Sequence, residues 1–273
     1  MIGPGFTPQL ASIFEHLVEE ASGIHYGPSE REVFGARIAA QAAEAGYPAL
    51  LDYYYRLRYD DPDGVETRAL LEGLAVHETY FFRELAPLQQ LVAGHLSEIV
   101  RTRGRARVWS AACSTGEEPL TLAMLLDQAG LLERVEIVAS DLSAAVIQRA
   151  RTGRHGRRAL REPYPDELAR TYLDVTELGV TSSARLRDVI RFRAQNLLDD
   201  TGIEKLGLFD VILCRNVLIY FRDDSIMRVL DRLGRSLAPD GVVAVGIAES
   251  LLRFGTSLTC EETGGAFFYR NRR

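Results

Sequence analysis

Apolar positions in the first third of the chain recur with a helical period. Leu10, Ile13, Phe14, Leu17 and Val18 fall at i, i+3, i+4, i+7 and i+8, on a helix that Thr7 caps, Pro8 opens and Gly23 ends. A second helix is expected from Pro28-Ser29, carrying Val33, Phe34, Ile38 and Ala42 and stopping at Gly46. A third runs from about Pro48 through Leu50, Leu51 and Tyr54. After the turn cluster Asp60-Asp61-Pro62-Asp63-Gly64 a fourth covers about 65–75. These segments predict an all-helical unit over residues 1–90. From about residue 107 the pattern changes. Short apolar runs at 107–111, 135–140, 209–214 and 242–247 suit strands buried on both faces. They alternate with helical patterns at 117–129, 143–152 and 223–237, and Gly265–Arg270 reads as a last strand. The alternation predicts an α/β fold with a doubly wound sheet over 91–273. Residues 160–195 interrupt it, with a helix at Pro165–Tyr172 and short β segments that include Val189–Arg193. They read as a small insertion.

Composition narrows the function. The 273 residues are 47% hydrophobic and 26% charged, enough for a sizeable core. A net charge of −6 disfavours a general nucleic-acid binder. Cys113, Cys214 and Cys260 are widely spaced and form no C-x-x-C, which predicts neither a disulfide framework nor a metal site, and points to a reducing, cytoplasmic setting. The N-terminus has no basic leader, and no segment approaches ~18 apolar residues, so neither a signal peptide nor membrane insertion is expected. No heptad or interface stripe suggests more than a monomer.

Residues 108–119, VWSAACSTGEEP, carry the most information. An apolar run ends in small residues and one Gly, and two carboxylates and a Pro then open a helix. This is a strand–turn–helix at the carboxyl end of a strand, where open α/β sheets bind ligands. A helix start attracts anions, but Glu117 and Glu118 would repel a phosphate. Only one glycine of G-x-G-x-x-G is present, which argues against a dinucleotide and a dehydrogenase. A nucleoside with a positive end fits better, and S-adenosylmethionine is such a ligand. Asp141 ends the second strand, where an acidic residue holds ribose hydroxyls in nucleotide-binding folds; helix capping is its other reading. Asn216, after the strand FDVILC, would face the same cleft, and Tyr220 could aim its hydroxyl there or lie in the core. In His77-Glu-Thr-Tyr-Phe-Phe-Arg-Glu84, Thr79 and Arg83 share a face if the segment is helical; a domain-junction helix with a surface Arg is the alternative.

Four blocks in order resemble the CheR family of chemotaxis glutamate methyltransferases: HETYFFRE at 77–84, WSAACSTGEEP at 109–119, ASDLSAAVIQRARTG at 139–153 and FDVILCRNVLIYF at 209–221. AESL at 248–251 and FFYR at 267–270 are weaker echoes. The resemblance implies a Rossmann-like S-adenosylmethionine-dependent methyltransferase domain, a small helical N-terminal domain and a small inserted antiparallel β subdomain. It implies cofactor contacts from His77, Thr79, Arg83, Glu117, Asp141, Asn196, Leu197, Asn216 and Val217. Arg83 and Tyr220 would orient the incoming carboxylate or the methionine end of the cofactor at the transfer site. The implied partner is the cytoplasmic helical domain of methyl-accepting chemotaxis receptors. The implied product is a glutamate methyl ester.

A carboxylate acceptor is ionised at neutral pH, with a pKa of about 4.3, so no strong base is needed and catalysis is mainly positioning. Two positions depart from the family pattern: His77 stands where the family has Asn, and Ile247 where it has His. Gln41 also replaces a basic residue on the second helix, which keeps Arg31 and Arg37. His77 and Ile247 favour a second reading, a catalytically weak S-adenosylmethionine-binding regulatory or scaffold protein. A methyltransferase of a small molecule or of another protein suits the helical unit and the insertion less well. Arg149, Arg151, Arg154, Arg157, Arg158 and Arg161 form a basic stretch that is either a solvated face or a dock for an acidic receptor helix.

Overall fold

The computed structural model describes residues 6–271. The chain forms two compact units, one of residues up to Val76 with Ile219–Arg228, the other of His77–Leu218 with Val229 onward.

The first unit holds α1 (Pro8–Ser22), α2 (Arg31–Glu44), α3 (Leu50–Tyr59) and α4 (Val65–Leu74). The start and stop signals act as the sequence suggests. Thr7 Oγ1 accepts from Leu10 N at 3.2 Å, and Gly23 takes a left-handed conformation. The second helix opens with a 3-10 turn, Pro28–Glu30, because the Glu30 carboxylate turns back to accept from Gly27 N at 3.0 Å. Phe14, Phe34, Ile38, Tyr53, Leu70 and Leu74 are fully buried, with the Tyr26 and Phe34 rings 4.6 Å apart. Ile219–Arg228 joins this unit through a bridge of Ile24 to Phe221 and a hydrogen bond from His25 N to Tyr220 O at 2.8 Å. Two cations of α2 are engaged within the unit. Arg31 pairs with Glu15 at 2.9 Å, and Arg37 donates to the Leu74 carbonyl at 2.8 Å, satisfying a helix-end acceptor.

The second unit begins with α5 (Leu85–Leu91) and α6 (Ser97–Arg103), joined by a π-helical turn. Then come β1 (Ala106–Ala111), α7 (Glu117–Gln128), β2 (Val135–Asp141), α8 (Ala144–Thr152), β3 (Arg154–His155), α9 (Asp166–Tyr172), β4 (Leu173–Thr176) and β5 (Gly179–Ser182). They are followed by α10 (Ala184–Asp188), β6 (Ile190–Ala194), α11 (Asp200–Glu204), β7 (Phe209–Cys214), α12 (Asp223–Ser236), which belongs to the first unit as far as Arg228, β8 (Leu237–Ala244), β9 (Thr259–Thr263) and β10 (Ala266–Arg270). Among the described residues, a seven-stranded sheet runs β6-β2-β1-β7-β8-β10-β9. The first five strands are parallel, and β10 pairs antiparallel with both β8 and β9. Chain order reverses between β1 and β7, so a crevice opens beyond their carboxyl ends. Helix α7, buried almost all round, covers the sheet. Trp109 is fully buried in β1, and its Nε1 donates to Ser140 Oγ at 2.9 Å.

Two expectations are corrected. The strand anticipated inside the insertion at Val189–Arg193 forms at Ile190–Ala194 and pairs in parallel with β2, in the main sheet. The inserted sheet is instead β3-β5-β4, antiparallel, and it recruits Arg154–His155 from upstream of residue 160. The strand anticipated at 242–247 ends at Ala244, because Gly246 N donates to the Glu249 carboxylate at 2.7 Å instead of continuing the ladder.

Candidate functional site

The turn after β1 is built from unusual backbone. Ala112, Ser114 and Gly116 all have positive φ, at 60°, 50° and 94°. Only glycine suits the last position, since a Cβ there would lie 3.0 Å from Ala150 Cβ and 3.3 Å from the Phe192 ring. The turn thereby lies close to α8 and β6 before α7 begins at Glu117.

Asp141 closes the turn from the end of β2. One carboxylate oxygen accepts from Ser114 N at 2.8 Å and the other from Ser143 N at 3.1 Å. Helix capping falls to Ser143, whose hydroxyl accepts from Val146 N at 3.1 Å. Burial pushes the Asp141 carboxyl up from its ordinary value, against the backbone N–H groups and the nearby His77, which favour the charged form. Backbone N–H groups thus hold the carboxylate in place at the end of β2. Gln195 N donates to the Asp141 carbonyl at 2.8 Å, which brings the Asn196-Leu197 segment beside the end of β2. There the Asn196 side chain accepts from Leu198 N at 2.9 Å, and Leu197 is buried.

The two carboxylates at the start of α7, expected to act together against a phosphate, have different partners. Glu118 accepts from Ser110 Oγ at 2.7 Å and pairs with Arg215 at 2.9 Å. Glu117 has no such guanidinium. It accepts from Thr115 Oγ1 at 2.7 Å and from His155 Nδ1 at 3.0 Å, and both members of that last pair are buried.

The 77–84 segment is not helical. Residues 77–80 are irregular and 81–84 form a turn, with Phe82 and Glu84 at positive φ. Tertiary bonds set this shape: Phe81 N donates to the Ala159 carbonyl at 2.7 Å and Phe82 N to Thr121 Oγ1 at 3.1 Å. His77 and Thr79 are half-buried, and the Arg83 guanidinium donates to the Glu78 carbonyl at 3.0 Å and lies 5.7 Å from the Tyr80 ring centre.

Sequence reasoning passed over the network beyond β7. Arg215, its side chain 1% exposed, binds Glu118, the Glu84 carboxylate at 3.0 Å, and the Arg83 and Glu84 carbonyls. Burial alone would raise the Glu84 carboxyl, but the Asn216 amide at 3.0 Å, the Arg215 charge and the Ile247 N–H hold it below its ordinary value. Asn216 has φ 58°, and Glu249 clasps the loop by accepting from Asn216 N, Leu218 N and Gly246 N at 2.6–2.7 Å. Ile247 is 74% exposed, while its N–H donates to Glu84 at 3.2 Å. Val217 is half-buried. A charged residue next to a strand end, with two acidic residues elsewhere beside apolar runs, was the available signal.

Of the residues expected at the site, His77, Thr79, Arg83, Glu117, Asp141, Asn196, Leu197, Asn216 and Val217 lie in the second unit, while Tyr220 belongs to the first. Residues 77–264 match the family described as CheR methyltransferase, SAM binding domain. The chain belongs to the CheR methyltransferase family. Its cofactor is S-adenosylmethionine, and the acceptor-rich, phosphate-poor turn suits that group: a buried carboxylate ends β2, a second one lacks a guanidinium partner, and apolar Leu197 lies near. The chain is 33% identical to "Chemotaxis protein methyltransferase 2" of Vibrio cholerae, over 89% of this chain and 86% of that one. It is 31% identical to "Chemotaxis protein methyltransferase 1" of Pseudomonas aeruginosa, over 88% and 89%. A "Probable biofilm formation methyltransferase WspC" of the same bacterium is 39% identical over 72% of this chain and 47% of its own length. Among the described residues no helix is long and apolar enough to cross a membrane.

Proposed function

We propose that this CheR-type methyltransferase esterifies glutamate side chains on the cytoplasmic helical domain of a methyl-accepting chemotaxis receptor, working in the cytoplasm. The observation that carries this reading is the similarity to chemotaxis methyltransferases along nearly the whole chain, helical unit included. S-adenosylmethionine supplies a methyl group activated on a sulfonium. Asp141 takes the ribose with its remaining lone pairs, Glu117 the ammonium, and Asn196 with Leu197 the adenine. His77, Thr79, Arg83, Asn216 and Val217 complete the cofactor contacts, and Arg83 and Tyr220 orient the acceptor carboxylate or the methionine end.

The chemistry of the acceptor suits a site without a base. A glutamate is ionised at pH 7, with a pKa of about 4.3. Burial pushes the Cys113 and Cys214 thiols well above their ordinary value, so neither serves as a thiolate nucleophile or base. Transfer joins an anion to a cation-bound methyl and leaves two neutral groups, which a partly desolvated cleft favours. The higher identity to the biofilm methyltransferase, over a shorter stretch, favours as second reading a receptor outside chemotaxis.

The test is methyl transfer from labelled S-adenosylmethionine to a receptor cytoplasmic fragment. Label released as volatile methanol by mild alkali is the expected result, and Arg83→Ala and Tyr220→Phe should each slow transfer by about tenfold or more. Alkali-stable label would overturn the ester. Cofactor binding without transfer to any receptor would favour the regulatory or scaffold reading.

A further inference from the structure

We propose that His155 is a positioning residue for the cofactor: it fixes the Glu117 carboxylate for the cofactor's α-ammonium, and so ties ligand recognition to the inserted β sheet. This rests on the assignment of Glu117 made above. A glutamate at the first position of a helix is free to turn toward solvent, and fixing its rotamers costs conformational entropy. Here both oxygens are engaged, one by the Thr115 hydroxyl at 2.7 Å and one by His155 Nδ1 at 3.0 Å. The imidazole is 1% exposed and the carboxylate 3%. Because a carboxylate only accepts, Nδ1 carries the proton. Each Glu117 oxygen keeps acceptor capacity for a further donor, and an ammonium brings three.

The imidazole is itself held. His155 lies on β3 and pairs with Val180 of β5. Gly179 passes so close that a Cβ there would collide with the His155 carbonyl oxygen. The Phe81 ring stands edge-on to the imidazole at 4.8 Å. Nε2 is buried with no hydrogen-bond partner among the described residues, so the bond to Glu117 is what anchors the polar part of the ring. One carboxylate thus joins the turn after β1, the 77–84 segment through Phe81, and the insertion.

The experiment compares two ligands by calorimetry. S-adenosylhomocysteine has the ammonium; 5′-methylthioadenosine shares the adenosine and thioether but lacks it. His155→Phe should weaken S-adenosylhomocysteine by about ten- to hundredfold and leave methylthioadenosine within about twofold, the loss expected of one hydrogen bond to a charged group. His155→Asn places an amide N–H near the Nδ1 position and should restore binding to within about threefold. His155→Gln places it near Nε2 and should not, and this pair decides the matter even where the Phe variant fails to fold. Equal loss of both ligands, or no loss of S-adenosylhomocysteine, overturns the proposal. Glu117→Gln run in parallel separates the two ideas. If it weakens both ligands alike, the Glu117 assignment falls and this inference with it. If it discriminates and His155→Phe does not, only the role of His155 falls.

Discussion

Replacing Arg215 by Met removes the one guanidinium that serves both Glu84 and Glu118. The Arg215 side chain is 1% exposed, and its partners are 17% and 15% exposed. Breaking a buried ion pair by deleting one partner costs about 3–5 kcal/mol, and the partial exposure of both carboxylates argues for the lower end, about 3 kcal/mol. Two backbone carbonyls lose their donor as well. Arg215→Lys keeps a charge but cannot fork to four acceptors, and should cost about 1–2 kcal/mol. Urea unfolding followed by Trp109 fluorescence reads the sheet unit directly, since the chain has one Trp and it lies in β1. The pH dependence gives the sharper test. The folded state holds the Glu84 carboxyl below its ordinary value. Its contribution is therefore full above the unfolded pKa of about 4.3 and is lost as pH falls through the lower folded value. The gap between wild type and Arg215→Met should shrink on acidification below that point. A gap under about 1 kcal/mol at pH 7, or one unchanged in acid, would refute an electrostatic role for Arg215.

Two further predictions concern the turn after β1. Asp141→Asn keeps the shape but loses the charge and half the acceptor capacity, so S-adenosylhomocysteine should bind about 30- to 100-fold more weakly by calorimetry; an unchanged affinity would remove Asp141 from the ribose site. Gly116→Ala combines φ 94° with a Cβ 3.0 Å from Ala150, and should lower stability by about 1–3 kcal/mol in the same urea assay. An unshifted midpoint would mean that the turn relaxes freely.

Elements governed by neighbours in sequence are legible in the chain itself. Thr7, Pro8 and Gly23 mark α1 because capping is a matter of adjacent residues, and the runs around Trp109 and Ile212 read as strands because both faces are buried. Long-range pairing was not legible. Ile190 and Phe192 alternate in the same way whether β6 joins the insertion or the main sheet, and only its register with β2 decides. The two-residue β3 exists through its partner β5 alone. The 77–84 segment has helix-compatible spacing, yet bonds to Ala159 and Thr121 bend it into left-handed backbone. At the site, the motif blocks pointed to Glu117, Asp141 and Asn216. Arg215 and His155 were missed because their partners are distant in sequence. His155 has no neighbouring His or Cys in the chain, so nothing in its local sequence singles it out.

The clasp formed by Glu249 and Glu84 changes what a substitution at residue 247 means. At residues 246 and 247 these carboxylates read the loop through its N–H groups, which every residue but proline provides, so there they record the path of the chain and ignore its side chains. An isoleucine that turns its side chain to water and lends only its amide is, to such a clasp, interchangeable with a histidine. The loop after β8 is thus open to sequence drift at its surface and closed to it at Glu249, and a proline at 247 would disturb it more than any change of polarity.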